Sequence, residues 1–475
     1  LFDSRAEAAA RAVIDIHNVY RKLADKGKMS APAAAAAGER LQAVSALDEL
    51  GDADLVVEAI VENLDAKRQL FADLEAIVGD DCILATNTSS ISITAIGSAL
   101  RRPQRLVGMH FFNPVPLMAL VEVVSGLATG REIAETIHAT AAAWGKTPVH
   151  AISTPGFIVN RVARPYYAEG LRVATEQGGT PATLDAIMRE AGGFRMGPFE
   201  LMDLIGHDVN FAVTKSVFEA YFNDPRFTPS LMQQELVNAG FLGRKTGRGF
   251  YRYGENAVAP VPETEQPQVA PATVAIYGND ARAHAIAARI EAGGVVVQRL
   301  AAGNKDGACM QCGSATVFFT DGRTATRRAR DNAVADTVLL DLALDFSTAR
   351  RVALARADQC SDAAYAAAVG AFQSAGYAVS RLGDVPGMLV MRTVAMLANE
   401  AADAVNQGVC GVQAVDTAMQ KGVNYPRGPL AWADDIGPAE VMTVLGHLAT
   451  AYGEDRYRTS PLIQRKAATG ALFHA

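Results

Sequence analysis

The sequence predicts an α/β protein in four parts: a doubly wound α/β domain, an all-helical domain, a degenerate second α/β unit and a second helical domain. Three observations carry this. Short β-branched runs alternate with helical stretches over about the first 152 residues, the pattern of a parallel sheet with right-handed crossovers. From Thr154 to about Tyr253 these runs give way to long helical patterning. A set of residues then recurs 231 positions on: Pro155-Gly156 as Pro386-Gly387, Arg161 as Arg392, Glu169 as Glu400, Gly197-Pro198 as Gly428-Pro429, Asp203 as Asp434 and Gly206 as Gly437. Chance does not place that many Gly, Pro and charged matches on one gapless diagonal, so the helical domain occurs twice.

Residues 5–28 carry apolar side chains at helical spacing (Ala10, Val13, Ile14, Tyr20) and a basic far end, Arg21, Lys22, Lys26 and Lys28. Asp54-Leu-Val-Val-Glu58-Ala-Ile-Val reads as a buried strand from its β-branched content. Cys82–Asn87 and Arg105–His110 read as two more. Val258–Gln268, rich in Pro and Glu, reads as an exposed linker. Strand runs at Thr273–Gly278, Val295–Gln298, Ala315–Phe319 and Thr337–Leu340 then alternate with helical segments. The expected domains are 1–152, 153–254, 273–384 and 385–475, with a linker at 255–272.

A chain of 475 residues is too long for a single core. With 49% hydrophobic and 20% charged residues it has the composition of a soluble globular protein. No apolar run approaches the roughly 18–20 residues that cross a bilayer, so no membrane partner is expected. A net charge of −7 argues against general affinity for nucleic acid. Five scattered cysteines do not make a disulfide framework and fit a reducing cytoplasm. Cys309 and Cys312 have CxxC spacing, but a zinc ribbon needs a second pair; no metal is expected.

Thr86-Asn87-Thr88-Ser89-Ser90 follows a strand directly, at the end where doubly wound sheets open on their ligand crevice. Two readings fit it equally: polar contacts to a substrate, or the N-cap of the next helix. His110 ends a strand on the same rim. Glu122 lies inside the apolar run Leu120-Val-Glu-Val-Val, where a buried carboxylate needs a partner. The nearest plausible one in a strand–turn–strand arrangement is His110. A carboxylate accepting one imidazole N–H fixes the tautomer and raises the basicity of the other nitrogen, as a general base near pH 7 requires.

Asn-Thr-Ser-Ser (87–90), His-Phe-Phe-Asn-Pro (110–114), Val-Glu-Val-Val (121–124), Thr-Pro-Gly-Phe-Ile-Val-Asn-Arg (154–161), Met-Gly-Pro-Phe-Glu-Leu (196–201) and Gly-Arg-Lys-Thr-Gly-Arg-Gly-Phe-Tyr (243–251) together resemble the 3-hydroxyacyl-CoA dehydrogenase family, in its order, over residues 1 to about 253. The resemblance implies a Rossmann-like first domain, NAD as cofactor and an acyl-CoA substrate. It makes His110 the base and Glu122 its partner, with Ser89 and Asn160 bonding the reacting oxygen and the thioester side. Glu62, Lys67 and Asn113 would line the nicotinamide end, with Asn87 beside them, and Lys245 would add a further cofactor contact. Asp3 matches the acidic residue that accepts the adenosine ribose hydroxyls, which favours NAD over NADP. The layout, with its second helical domain, resembles the longer bacterial members assigned to 3-hydroxyadipyl-CoA oxidation in phenylacetate catabolism.

The family's Gly-x-Gly-x-x-Gly turn is absent from the chain, and the expectation is that it lies upstream of residue 1. The second half has no glycine fingerprint and no His-Phe-Phe-Asn-Pro equivalent, and Met391 stands where Asn160 would be. Its expected role is to complete a helical interface that family members usually make between two subunits, with a degenerate binding site as the alternative; a homo-oligomer is a further expectation for the chain. For a distal carboxylate on the acyl chain, Arg164 is the candidate guanidinium, one turn beyond Asn160 on the same helix, against the blander reading of a surface arginine. Lys22 and Lys26 are candidates for the CoA phosphates, against the commoner reading of a solvated charge run. The competing functions are a 3-hydroxybutyryl-CoA or general fatty 3-hydroxyacyl-CoA dehydrogenase, and a non-catalytic relative that kept the fold.

Overall fold

The computed structural model describes residues 1–255, 257–301 and 307–475. Asn256, in the expected linker, and 302–306, in the expected second α/β unit, lie outside the described residues. Contacts divide the chain into two compact units, Leu1–His110 with Val123–Ala139, and Phe111–Glu122 with Thr140–Ala475. Both helical regions and the second α/β region thus fall within the larger unit.

In the smaller unit β1 (Leu55–Glu58), β2 (Ile83–Thr86) and β3 (Leu106–Phe111) pair in parallel, Leu55 opposite Ile83 and Leu84 opposite Leu106. β4 (Leu120–Ser125) lies against β3 where Gly108 leaves room: a Cβ there would stand 2.7 Å from Val124 and 3.0 Å from Ile93. β5 (Thr147–Ile152) begins with the Thr147 N–H donating to Ala119 at 2.8 Å, giving the order β1-β2-β3-β4-β5. Every residue of β2 is buried, as are Phe71 and Leu74 of the helix Leu64–Ile77 and Ile93 and Ile96 of the next. Each such side chain contributes about 1.5–3 kcal/mol by leaving water. The expectation of a buried strand at 54–61 is corrected here. β1 stops at Glu58 and is only partly buried, with Val57 40% exposed, and Val61 beyond it is 68% exposed. The helix expected over 5–28 forms at Ala6–Asp25, and Gly38 of the helix Ala31–Glu39 packs on its His17 ring.

The larger unit holds a seven-stranded sheet: β6 (Thr273–Tyr277), β7 (Val296–Leu300), β8 (Ala308–Cys312), β9 (Ala315–Phe319), β10 (Thr337–Leu340), β11 (Arg351–Arg356) and β12 (Ala378–Arg381), in the order β12-β11-β10-β9-β8-β6-β7. It is mixed. β8 runs antiparallel to β6 and β9, and β11 antiparallel to β10. Four of the seven strands stand where the sequence reading put them; β8, β11 and β12 were not foreseen. Cys-Met-Gln-Cys and Arg-Val-Ala-Leu-Ala-Arg carry little β-branched signal, although the two residues Gly313-Ser314 between β8 and β9 are a hairpin cue.

The stretch at 255–272 has no helix or strand among its described residues, but it is not a loose linker. The Glu265 N–H donates to Val379 of β12 at 2.8 Å, Ser380 Oγ donates to the Glu263 carbonyl at 2.7 Å, and the Gln268 N–H donates to Gln373 Oε1 at 2.8 Å. Pro and Glu mark a segment that cannot continue a helix; they do not say whether it is strapped to a neighbour.

The repeat reaches further than the sequence matches. β3 and β10 start at 106 and 337, β4 and β11 at 120 and 351, β5 and β12 at 147 and 378, each pair 231 apart. The helices Arg131–Ala143 and Asp362–Ser374, and Pro198–Ile205 and Pro429–Ile436, keep the same spacing. The copies clasp each other reciprocally. Arg161 Nε donates to Glu400 Oε1 at 2.5 Å, and its counterpart Arg392 Nε donates to Glu169 Oε2 at 2.6 Å, all four side chains buried. Arg226 adds to the first pair through Asp403 at 2.5 Å, and Arg456 to the second through Glu169 at 2.9 Å.

Candidate active site

In the smaller unit the parallel strands end at Glu58, Thr86 and, one residue before the end of β3, His110. Glu58 is buried among three donors: Lys67 Nζ at 2.7 Å, Thr86 Oγ1 at 2.6 Å and the Ile60 N–H at 2.6 Å. The sequence reading gave Glu58 no role, although a carboxylate in a β-branched run carries the same signal that singled out Glu122. Lys67 is itself buried and reaches Glu62 at 3.3 Å, so it holds Glu62 in place.

Glu62 organises the loop after β2. Its Oε1 accepts from Thr88 Oγ1 at 2.6 Å, from the Ser89 and Ser90 N–H groups at 3.0 and 3.1 Å, and from Ser90 Oγ at 3.0 Å. Burial works against ionisation of Glu62, but the Thr88 hydroxyl, the Lys67 ammonium and the loop amides outweigh it and hold its carboxyl below the ordinary range. The two readings of Thr86–Ser90 are separated here: Ser92 caps the following helix through the Ala95 N–H at 3.2 Å, so Ser89 and Ser90 are not its N-cap. Asn87 donates its N–H to Glu58 O at 2.8 Å. Asp3 lies before the first helix and accepts from the Arg5 N–H at 2.8 Å, a bond that, with burial opposing it, lowers its pKa. Lys22 and Lys26 are exposed at the far end of that helix.

In the larger unit Glu122 is fully buried in β4. Its Oε1 accepts from the N–H groups of Ile158 and Val159, at 3.0 and 2.9 Å, at the start of the short helix Val159–Val162. A carboxylate at a helix N-terminus satisfies otherwise orphaned donors. Asn160 sits on that helix, immediately before the clasped Arg161, and Arg164 opens the next helix, Arg164–Thr175. Asn113 is exposed, ahead of a cis peptide bond to Pro114. Lys245 bonds Asp208 at 2.5 and 2.7 Å and joins none of these residues. The motif around it has a structural explanation: Asp203 accepts from the N–H groups of Phe250 and Tyr251 and from Tyr253 Oη, and a Cβ at Gly243 or Gly249 would overlap Asp203.

The second copy shows what a site loses. At 231 positions on, His110 becomes Asp341, Glu122 becomes Ala353, Asn160 becomes Met391 and Arg164 becomes Ala395. Asp341 accepts from the N–H groups of Leu389, Val390 and Met391 at 2.8–3.0 Å, the first two being the counterparts of Ile158 and Val159. The helix-anchoring carboxylate has moved to the strand that carries the histidine in the first copy. Cys309 and Cys312 are buried in the second sheet, and desolvation pushes the Cys309 thiol up to about 12.

The chain matches the 3-hydroxyacyl-CoA dehydrogenase NAD binding domain over residues 1–154 and the C-terminal domain of the same family twice, over 156–253 and 387–474. Residues 317–386 match a 3-hydroxybutyryl-CoA dehydrogenase reduced Rossmann-fold domain. The chain is 42% identical over 467 residues to a 3-hydroxyadipyl-CoA dehydrogenase of Escherichia coli K12, covering 98% of this chain and 92% of that one. It is 41% identical over 251 residues to a probable 3-hydroxybutyryl-CoA dehydrogenase of Deinococcus radiodurans, covering 53% of this chain and 90% of the other. A crystal structure of an E. coli K12 3-hydroxybutyryl-CoA dehydrogenase superposes with a TM-score of 0.88 at 42% identity, over 99% of this chain and 93% of that one. The relatives' names differ in the acyl chain.

Proposed function

The chain belongs to the 3-hydroxyacyl-CoA dehydrogenase family, and from that premise we propose how its residues carry out the NAD-dependent oxidation of an L-3-hydroxyacyl-CoA to the 3-oxoacyl-CoA. The observation that carries the assignment is the contrast between the copies. On matching backbone positions the first copy has His110, Glu122 and Asn160, and the second has Asp341, Ala353 and Met391. One copy is built for chemistry and the other has been emptied of it.

His110 takes the proton of the C3 hydroxyl. Glu122 steadies the imidazolium that results. General base catalysis of this kind contributes about 10²–10⁴-fold. Ser89, held by Glu62, and Asn160 bond the reacting oxygen and the thioester side. The cofactor fits the carboxyl ends of β1 and β2, where a doubly wound sheet opens and where Glu62 and Asn87 gather. NAD held there would supply the hydride acceptor for C3. Asp3, Asn113 and Lys245 remain candidate cofactor contacts on the resemblance, with Lys67 acting through Glu62. Lys22 and Lys26 are proposed for the CoA phosphates.

We place 3-hydroxyadipyl-CoA first among substrates and phenylacetate breakdown as its setting, following the E. coli relative and the whole-chain layout. 3-Hydroxybutyryl-CoA is the alternative, favoured by the name of the superposing structure. A reducing cytoplasm belongs to the same proposal, supported by free thiols throughout. The test is NAD reduction, followed by absorbance with each substrate, for the protein and its His110→Ala variant. Turnover lost by at least about 10²-fold in the variant supports the base. Turnover that His110→Ala leaves intact overturns it.

A further inference from the structure

Arg164 is the one guanidinium in its surroundings without a carboxylate. It is 6% exposed and lines a cavity of about 660 Å³ within the larger unit, beside Tyr167, Leu171, Phe227, Leu231 and Met232. Its Nη1 donates to Thr214 Oγ1 at 3.1 Å and its plane stacks on the Tyr167 ring at 4.9 Å. Its Nε, fully buried, has no hydrogen-bond partner. The other arginines of the lining are all paired: Arg172 with Glu454, Arg226 with Asp403 and Arg456 with Glu169. The Tyr425 hydroxyl, electrostatically coupled to Arg164, is also buried without a partner.

A buried charge without a counter-ion costs several kcal/mol, and folded proteins keep one where a ligand supplies the missing charge. The apolar lining fits an aliphatic chain and the guanidinium fits a carboxylate. Arg164 follows Asn160 by four residues, across the break between the helices Val159–Val162 and Arg164–Thr175. We propose that Arg164 receives the distal carboxylate of a short dicarboxylyl-CoA and sets the enzyme's preference for carboxylated over plain acyl chains. This rests on the dehydrogenase reading and names the residue that would recognise the carboxylated chain placed first among its substrates.

The test compares 3-hydroxyadipyl-CoA with 3-hydroxyhexanoyl-CoA, which has the same carbon count and a methyl in place of the carboxylate. Wild type is expected to favour the diacid in kcat/KM by about 100-fold, the scale of a desolvated charge pair. Arg164→Met brings the ratio near one, and Arg164→Lys restores part of it. A ratio in Arg164→Met within about threefold of wild type overturns the inference. Calorimetric titration of wild type with adipyl-CoA and hexanoyl-CoA, which lack the 3-hydroxyl, gives an answer that needs no variant and no turnover. Tighter binding of adipyl-CoA by tenfold or more supports the pocket, and equal binding overturns it. Wild type turning over both substrates equally removes this inference and leaves the dehydrogenase reading standing, whereas turnover of neither removes that reading.

Discussion

Replacing Glu169 by Gln strips the charge from a buried carboxylate that two guanidiniums face, Arg392 at 2.6 Å and Arg456 at 2.9 Å. Breaking a buried ion pair by removing one partner costs about 3–5 kcal/mol, because the other charge stays behind unpaired. Titration gives a second route to the figure. Burial opposes ionisation of Glu169, but Arg456 and Arg392 hold its carboxyl down at about 2, from an ordinary 4.5. That difference corresponds to about 3 kcal/mol at neutral pH. The folded pKa is depressed, so the stabilisation is fully present above about pH 4.5 and drains away as pH falls towards 2. Thermal melts at pH 7 should show Glu169→Gln unfolding about 8–16 °C below wild type, taking a cooperative unit of 150–250 residues. At pH 3 the carboxylate's contribution should have fallen to about 1–2 kcal/mol, so the gap narrows. A gap under about 2 °C at pH 7, or one that stays constant between pH 7 and pH 3, would refute the reasoning.

Glu122→Gln keeps an oxygen for the Ile158 and Val159 N–H groups but replaces the other with an amide that cannot accept from an imidazole N–H; kcat should fall about 10²–10⁴-fold with Tm within about 2 °C of wild type, and an unchanged kcat would remove Glu122 from the mechanism. Gly422→Val tests the wall that the second copy builds behind the first. Its Cβ would stand 2.6 Å from Leu120 and 3.1 Å from Val159, neighbours of Glu122 and Asn160, so Tm should drop by the equivalent of about 1–3 kcal/mol and kcat should fall with it. Cys309 and Cys312 should resist iodoacetamide in the native protein at pH 8 and react on unfolding, read by mass spectrometry, because burial raises both thiols; fast native labelling would contradict their placement.

Much of this was legible in the residues. Period and composition gave the alternating first domain and the two helical regions, and the diagonal from Pro155 to Gly437 gave the duplication. Glu122 announced itself as a carboxylate among valines, and the structure gives it a burial and a function in capping. The signal failed where it depends on partners distant in sequence. β8 and β11 are strands because of what they lie beside. Glu58 and Glu62 hold the loop after β2 through contacts 26–28 residues away, which no local pattern reports. The move of the helix anchor from β4 in one copy to the end of β10 in the other was visible as Asp341 in the alignment of repeats, yet its meaning needed the hydrogen bonds.

The reciprocal clasp of Arg161 on Glu400 and Arg392 on Glu169 has the self-complementary form of a two-fold contact between identical subunits. Between separate chains such a contact obeys mass action and comes apart on dilution. Here both sides belong to one polypeptide, and the contact has an effective concentration set by the covalent connection alone. Asn160, one residue from the clasp, therefore keeps its support at any enzyme concentration. Specific activity should stay flat down to the nanomolar range, where an enzyme assembled from two chains would begin to lose it.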